Sequence, residues 1–204
     1  MKTPTLFAAV LIAGLAAPAA AGALSFSAAF TNTNPPAAPG GRCANLTVNI
    51  ANLGGPFFAT GTSNFGDFTA VQSHCLDSGP PIAVGAPGTP YYDGLFTYSF
   101  ASGATLFGTY AGLLTNSGVM GVIDNLQNFV VTGGTGEFAN ASGSFLGTGT
   151  IRFAGGPPIA TLTISDAALA VPEPATWGMM ILGFVAAGCA VRARRAGDPA
   201  RSTV

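Results

Sequence analysis

A chain of 204 residues has room for one ordinary domain plus processing segments, and its 49% hydrophobic against 7% charged residues leaves too little charge for a typical cytosolic surface. Of the seven basic residues only Arg42 and Arg152 lie between Lys2 and Arg192, so no basic face exists to neutralise phosphates and nucleic acid is excluded as a partner. The 29 glycines and 15 prolines are interspersed with Phe, Val, Ile and Leu, a composition that fits a turn-rich β protein with a core rather than a disordered chain.

Residues 1–23 read as a secretory signal peptide. Lys2 supplies the positive start, LFAAVLIAGLAA the apolar run, and Ala21-Gly22-Ala23 a small-residue cleavage site, which puts the mature start near Leu24. Ala19-Ala20-Ala21 is an equally acceptable site. A retained anchor is the alternative reading, but the apolar run falls short of the roughly 20 residues a membrane span needs.

Residues 24–168 form the working domain, and their patterning alternates with the period of two that a half-buried strand requires. Phe26, Ala28 and Phe30 share one face, as do Leu46, Val48 and Ile50, and again Phe96, Tyr98 and Phe100. Further runs follow at TLFGTY (105–110), NFVVTG (128–133), SFLGTGTIRF (144–153) and IATLTIS (159–165), each bounded by turn residues. Short strands with close turns predict an all-β antiparallel barrel of about eight strands or a sandwich. The barrel is favoured, because closure removes aggregation-prone edges and because Gly108, Gly147 and Gly149 permit the bends by which small barrels close. Ala101–Ala104 is the expected hairpin loop between two of these strands.

The chemistry-bearing residues of this domain are few. Cys43 and Cys75 are its only cysteines, and an even pair in an oxidising compartment predicts a disulfide. His74 is the sole histidine; with neither a nucleophile nor a ligand set beside it, it reads as a structural residue at a loop or strand end. Asp67, Asp77, Asp93, Asp124, Glu137 and Asp166 are scattered singly and read as turn residues. Gly133-Gly134-Thr135-Gly136 lacks the lysine and helix of a phosphate loop and reads as a turn between strands. No catalytic residue, metal site or cofactor is expected. Tyr91, Tyr92 and Tyr110 are candidates to line the mouth of a barrel.

A second apolar run, Trp177 to Val191, precedes the end of the chain; as a helix its fifteen residues reach roughly 22 Å, less than the ~30 Å of a bilayer core. Arg192, Arg194 and Arg195 suit the cytoplasmic side, with residues 196–204 as a polar cytoplasmic tail. Pro172 and Pro174 keep the preceding segment extended.

Val171-Pro172-Glu173-Pro174, Trp177, the apolar span and Arg192, Arg194 and Arg195 together resemble a PEP-CTERM sorting domain over residues 171–195. The resemblance implies recognition and cutting by an exosortase, a transient C-terminal anchor in the inner membrane of a Gram-negative bacterium that makes exopolysaccharide, then release or attachment at the cell surface. The alternative is a plain anchor helix. VVTGGTGEFANASGSFLGTGTI, residues 130–151, is similar to the glycine-rich segment of allene oxide cyclase and dirigent-type secreted barrels. That similarity implies an eight-stranded antiparallel barrel and carries over no catalytic residue. The resulting expectation is an exported, non-catalytic protein with a structural role in an exopolysaccharide matrix or biofilm. The alternatives are a barrel that binds a small apolar or carbohydrate ligand and, behind it, a barrel isomerase or cyclase.

Overall fold

In the computed structural model, residues 21–53, 55–172, 181–189 and 192 are described. They fall into two units, of which Ala21–Pro172 is the compact β domain. Residues 1–20 of the expected leader lie outside the described residues, as do Glu173, Pro174, Trp177, Arg194 and Arg195. Of the second unit, residues 181–189 are helical and exposed, with Cys189 a free, exposed thiol. No helix among the described residues is long and apolar enough to cross a membrane.

The strands are β1 (Ala21–Thr33), β2 (Ala38–Pro39), β3 (Leu46–Ile50), β4 (Ala59–Ser63), β5 (Gly66–Leu76), β6 (Thr89–Phe100), β7 (Thr105–Asn116), β8 (Val122–Gly134), β9 (Gly143–Arg152) and β10 (Ile159–Pro172). Every ladder is antiparallel, and the pairing β5–β6 closes the sheet on itself. Eight positions result, because β3 and β4 share one: β4 pairs with β1 and the start of β5, while β3 pairs with the end of β5. This is the antiparallel barrel that the alternation and the glycine-rich segment predicted, and it leaves no long unpaired edge.

Glycines set the curvature as expected. The β7–β8 register slips between Phe107 and Gly108, and a Cβ at Gly149 would lie 1.8 Å from the Thr161 carbonyl oxygen, a separation no side chain tolerates. Ala101–Ala104 joins β6 to β7 as a hairpin in which the Ala101 side of the loop turns on Gly103 at φ +87. Gly133–Gly136 leads from β8 into a single 3-10 turn, Gly136–Phe138, and not into a helix.

The two ends of the barrel differ. At the end where β1 begins and β10 finishes, Phe26, Phe65, Phe100, Phe138 and Phe145 converge, with Phe100 and Phe138 ring centroids 4.8 Å apart and Phe65 and Phe138 4.9 Å apart. Phe138 is fully buried, delivered by the 3-10 turn as a plug. A second tier, Phe68, Phe96, Tyr98 and Phe129, fills the middle in tilted and edge-to-face contacts. The opposite end is not filled.

Candidate functional site

At that opposite end a partly open cavity of about 430 Å³ occupies the barrel. Its size falls within the range of small-molecule sites. One wall is mostly apolar, with Phe30 from β1, Val48 and Ile50 from β3, Ile151 from β9 and Leu162 from β10, and carries the amides of Asn32 and Asn34, which are hydrogen-bonded to each other. The facing wall, from β5, β6 and β8, presents His74, Tyr91, Asn125 and Gln127. Prolines 35, 36, 80 and 158 form part of the rim.

Period-two alternation places the polar wall. In β8 the inward residues descend from the rim as Ile123, Asn125, Gln127 and Phe129, all buried, so two amides stand between an aliphatic rim and the aromatic floor. Two glycines make room for the tyrosines. At Gly112 on β7 a Cβ would meet the Tyr91 hydroxyl at 2.1 Å, so the bare backbone there lets Tyr91 of β6 reach β8, where its hydroxyl lies 2.8 Å from Asn125 Oδ1. At Gly94 on β6 a Cβ would meet the Tyr110 ring at 2.6 Å, and Tyr110 of β7 thereby reaches β5, its hydroxyl 2.8 Å from His74 Nδ1.

His74 stands where the β5–β6 register slips between Ser73 and Cys75. Two braces hold this irregularity. Cys75 is joined to Cys43 by the expected disulfide. The neighbouring Arg42 donates to the carbonyl oxygens of Ser73, at 2.9 Å, and of Asp93, the latter a non-glycine residue at φ 51 in the β6 bulge. Burial, and then the Arg42 charge, push the His74 pKa from 6.5 down to about 4, so the imidazole is neutral at ordinary pH. Burial likewise lifts the Tyr91, Tyr98 and Tyr110 hydroxyls above their usual range; a side-chain hydrogen bond from Gln127 partly offsets this at Tyr91. All three therefore stay protonated.

His74 thus sits within a strand near its end, as a buried residue of the cavity wall. Of the three tyrosines proposed for a barrel mouth, Tyr91 lines the cavity. Tyr110 is buried behind it, and Tyr92 points outward, donating to Asp77 at 2.5 Å. Asp67, Asp77, Asp93, Asp124 and Glu137 are all exposed, and none lines the cavity. The signal that could have found Asn125 and Gln127 is their phase: both fall on the face shared by Ile123, Phe129 and Val131, where a polar residue is out of pattern.

The other candidate site is the exit from the barrel. Val171 and Pro172 close β10 at the plugged end and pair with Gly22 and Ala21 of β1, and Pro172 is also the first residue of the Pro-Glu-Pro sequence. Arg192, further along, is exposed. Residues 170–195 match the PEP-CTERM protein-sorting motif. This motif supports an exported, membrane-processed protein that reaches the cell surface, with an exosortase as its processing enzyme. The sorting motif contains Val171, Pro172, Glu173, Pro174, Trp177, Arg192, Arg194 and Arg195. No curated protein and no solved structure matches the chain. The barrel fits the architecture that the allene oxide cyclase and dirigent-type similarity implied, and the likeness rests on that architecture alone.

Proposed function

We propose that this exosortase-processed protein is a non-catalytic binding barrel, which carries a small, mostly apolar ligand at the cell surface or in the surrounding matrix. The observation behind this reading is the 430 Å³ cavity, whose mostly apolar lining carries six uncharged polar side chains, Asn32, Asn34, His74, Tyr91, Asn125 and Gln127. A barrel serving only as matrix scaffold has no need of such a space; its aromatic floor shows that this chain fills the barrel where filling is required. A carbohydrate fits less well, because a sugar hydroxylated on every side would lie against Phe30, Val48, Ile50, Ile151 and Leu162 with its hydroxyls unpaired.

The non-catalytic part of the reading is supported by the side chains at hand. No carboxylate, lysine, serine or cysteine lines the cavity, and the Nδ1 atom of His74 is engaged by Tyr110. The test is titration of the exported protein with a neutral fluorescent apolar probe such as N-phenyl-1-naphthylamine. Saturable one-to-one binding that Val48→Trp abolishes is the expected result. A probe that does not bind, or that binds the Val48→Trp protein equally well, would overturn the reading.

A further inference from the structure

On the wall formed by β5, β6 and β8 the internal hydrogen bonds consume acceptors and leave donors over. The Tyr91 oxygen accepts from the Gln127 amide, so its hydrogen goes to Asn125, whose Oδ1 lies 2.8 Å away. The Asn125 amide is thereby held with its oxygen on Tyr91 and its Nδ2 without a partner among the described residues. Tyr110 has no acceptor there other than His74 Nδ1, at 2.8 Å, so its hydroxyl donates to that atom and the ring hydrogen stands on Nε2. His74 Nε2 is likewise unpartnered.

Accessibility separates these atoms. The only side-chain polar atoms among the described residues that are both unpaired and closed off from solvent are the Oε1 atoms of Gln72 and Gln127. Gln127 Oε1 is thus sealed behind the wall and offers a ligand nothing, whereas Asn125 Nδ2 and His74 Nε2 keep open surface. Asn125 is 5% and His74 6% exposed, and both line the cavity, so that surface faces its interior. This wall therefore presents N–H groups and no unengaged acceptor.

The free acceptor of the lining lies elsewhere. Asn32 Nδ2 donates to Asn34 Oδ1, which leaves Asn32 Oδ1 and Asn34 Nδ2 unpaired. Asn32 belongs to β1, separated from β8 by β9 and β10. Asn34 adjoins the proline rim, where its N–H bonds to the Pro158 carbonyl oxygen, and a ligand bond made there replaces one to water with little gain. Charge is absent throughout: no Lys, Arg, Asp or Glu lines the space, and the nearby Arg42 guanidinium binds the Ser73 and Asp93 carbonyl oxygens. A carboxylate would meet N–H groups but no counter-charge, too little to offset its loss of hydration.

We propose that the cavity selects uncharged, largely apolar carbonyl compounds, ketones or esters on an alkyl chain, whose C=O accepts a hydrogen bond from Asn125 Nδ2. This rests on the binding reading above and names the ligand class for it. Asn125 lies below Ile123 and above Phe129, so the carbonyl end enters first and the chain trails toward the proline rim. An alcohol in the same place accepts equally well, but its own hydrogen faces N–H groups and goes unpaired.

Calorimetric titration of the exported protein at pH 7.5 with 2-nonanone, 2-nonanol and nonanoate tests the proposal, with N-phenyl-1-naphthylamine as the control for the cavity itself. The ketone should bind about tenfold more tightly than the alcohol, the cost of stranding one buried hydroxyl hydrogen, and nonanoate should not saturate in the same range. The infrared C=O stretch of the bound ketone should lie below its frequency in hexane, because accepting a hydrogen bond weakens the C=O bond. Asn125→Leu is similar in volume and leaves Tyr91 the Leu126 carbonyl oxygen at 3.1 Å. In it the naphthylamine should bind as before, while the ketone loses about five- to tenfold in affinity and its stretch returns to the hexane value. Equal binding of ketone and alcohol, nonanoate binding as tightly as the ketone, or an unshifted stretch in the native protein would overturn the proposal while the binding reading stands. So would an Asn125→Leu protein that keeps the ketone's affinity; should that variant not fold, the contrast between ketone and alcohol and the native stretch still decide. If the native protein binds neither the naphthylamine nor any of the three, the binding reading falls and the proposal with it.

Discussion

Acidification should destabilise the barrel through His74. Its folded pKa of about 4 lies below the ordinary 6.5, so between those values the unfolded chain binds a proton that the folded one refuses. Stability is therefore complete above pH 6.5, is lost progressively as the pH falls, and levels off below about 4. The linkage relation gives a loss of roughly 2 kcal/mol by pH 5 and roughly 3 kcal/mol by pH 4. The surroundings explain why the proton is refused: His74 packs against Tyr91 and Tyr110, with ring centroids 4.7 and 5.7 Å away, and the nearby charge is the cationic Arg42. Urea unfolding followed by near-ultraviolet circular dichroism, at pH 7 and pH 5 with the disulfide intact, measures the loss. His74→Gln keeps a polar partner for Tyr110 but cannot titrate, so its stability should change much less over this interval. Asp77, whose pKa is depressed by hydrogen bonds from Tyr92 and Asn45, also loses stabilisation in acid but does so in both proteins and cancels. Parallel losses in the native protein and His74→Gln would refute the reasoning.

Gly112→Ala should destabilise the barrel by about 1–3 kcal/mol, because the added methyl would meet both the Tyr91 hydroxyl and the Leu126 carbonyl oxygen at 2.1–2.2 Å; a thermal melt unchanged from the native protein would contradict the close crossing. Reducing Cys43–Cys75, which closes 32 residues of chain, should cost roughly 3–4 kcal/mol in the chain-entropy model, read as a lowered urea midpoint with and without reductant. In cells with a functional exosortase the surface form should lack the C-terminal segment, and in cells without one it should keep it. Mass determination of the C-terminus in each fraction checks this, and an intact tail in both would remove the case for processing.

Alternation, turns and the C-terminal sorting motif were legible in the linear chain because each depends on local chemistry. The period-two runs at Phe96–Phe100 and Leu46–Ile50 need only a pleated strand to put their apolar residues on one side, and they did so. The disulfide followed from an even cysteine count, and the sorting motif from an ordered run of proline, glutamate, apolar span and arginine. Even the closure of the barrel was signalled by glycines that a flat sheet would not choose. The cavity was not legible, because it depends on which strands face one another across the barrel. Asn125, Gln127, Tyr91 and His74 come from three strands, and nothing in their spacing brings them to one wall. Only closure, the two bulges beside His74, and the paths that Gly94 and Gly112 leave for tyrosines over neighbouring strands do that. Composition likewise could not say which end is filled. That is decided by Phe138, carried into the floor by a turn of three residues, while at the other end the chain supplies prolines to the rim and leaves the space open.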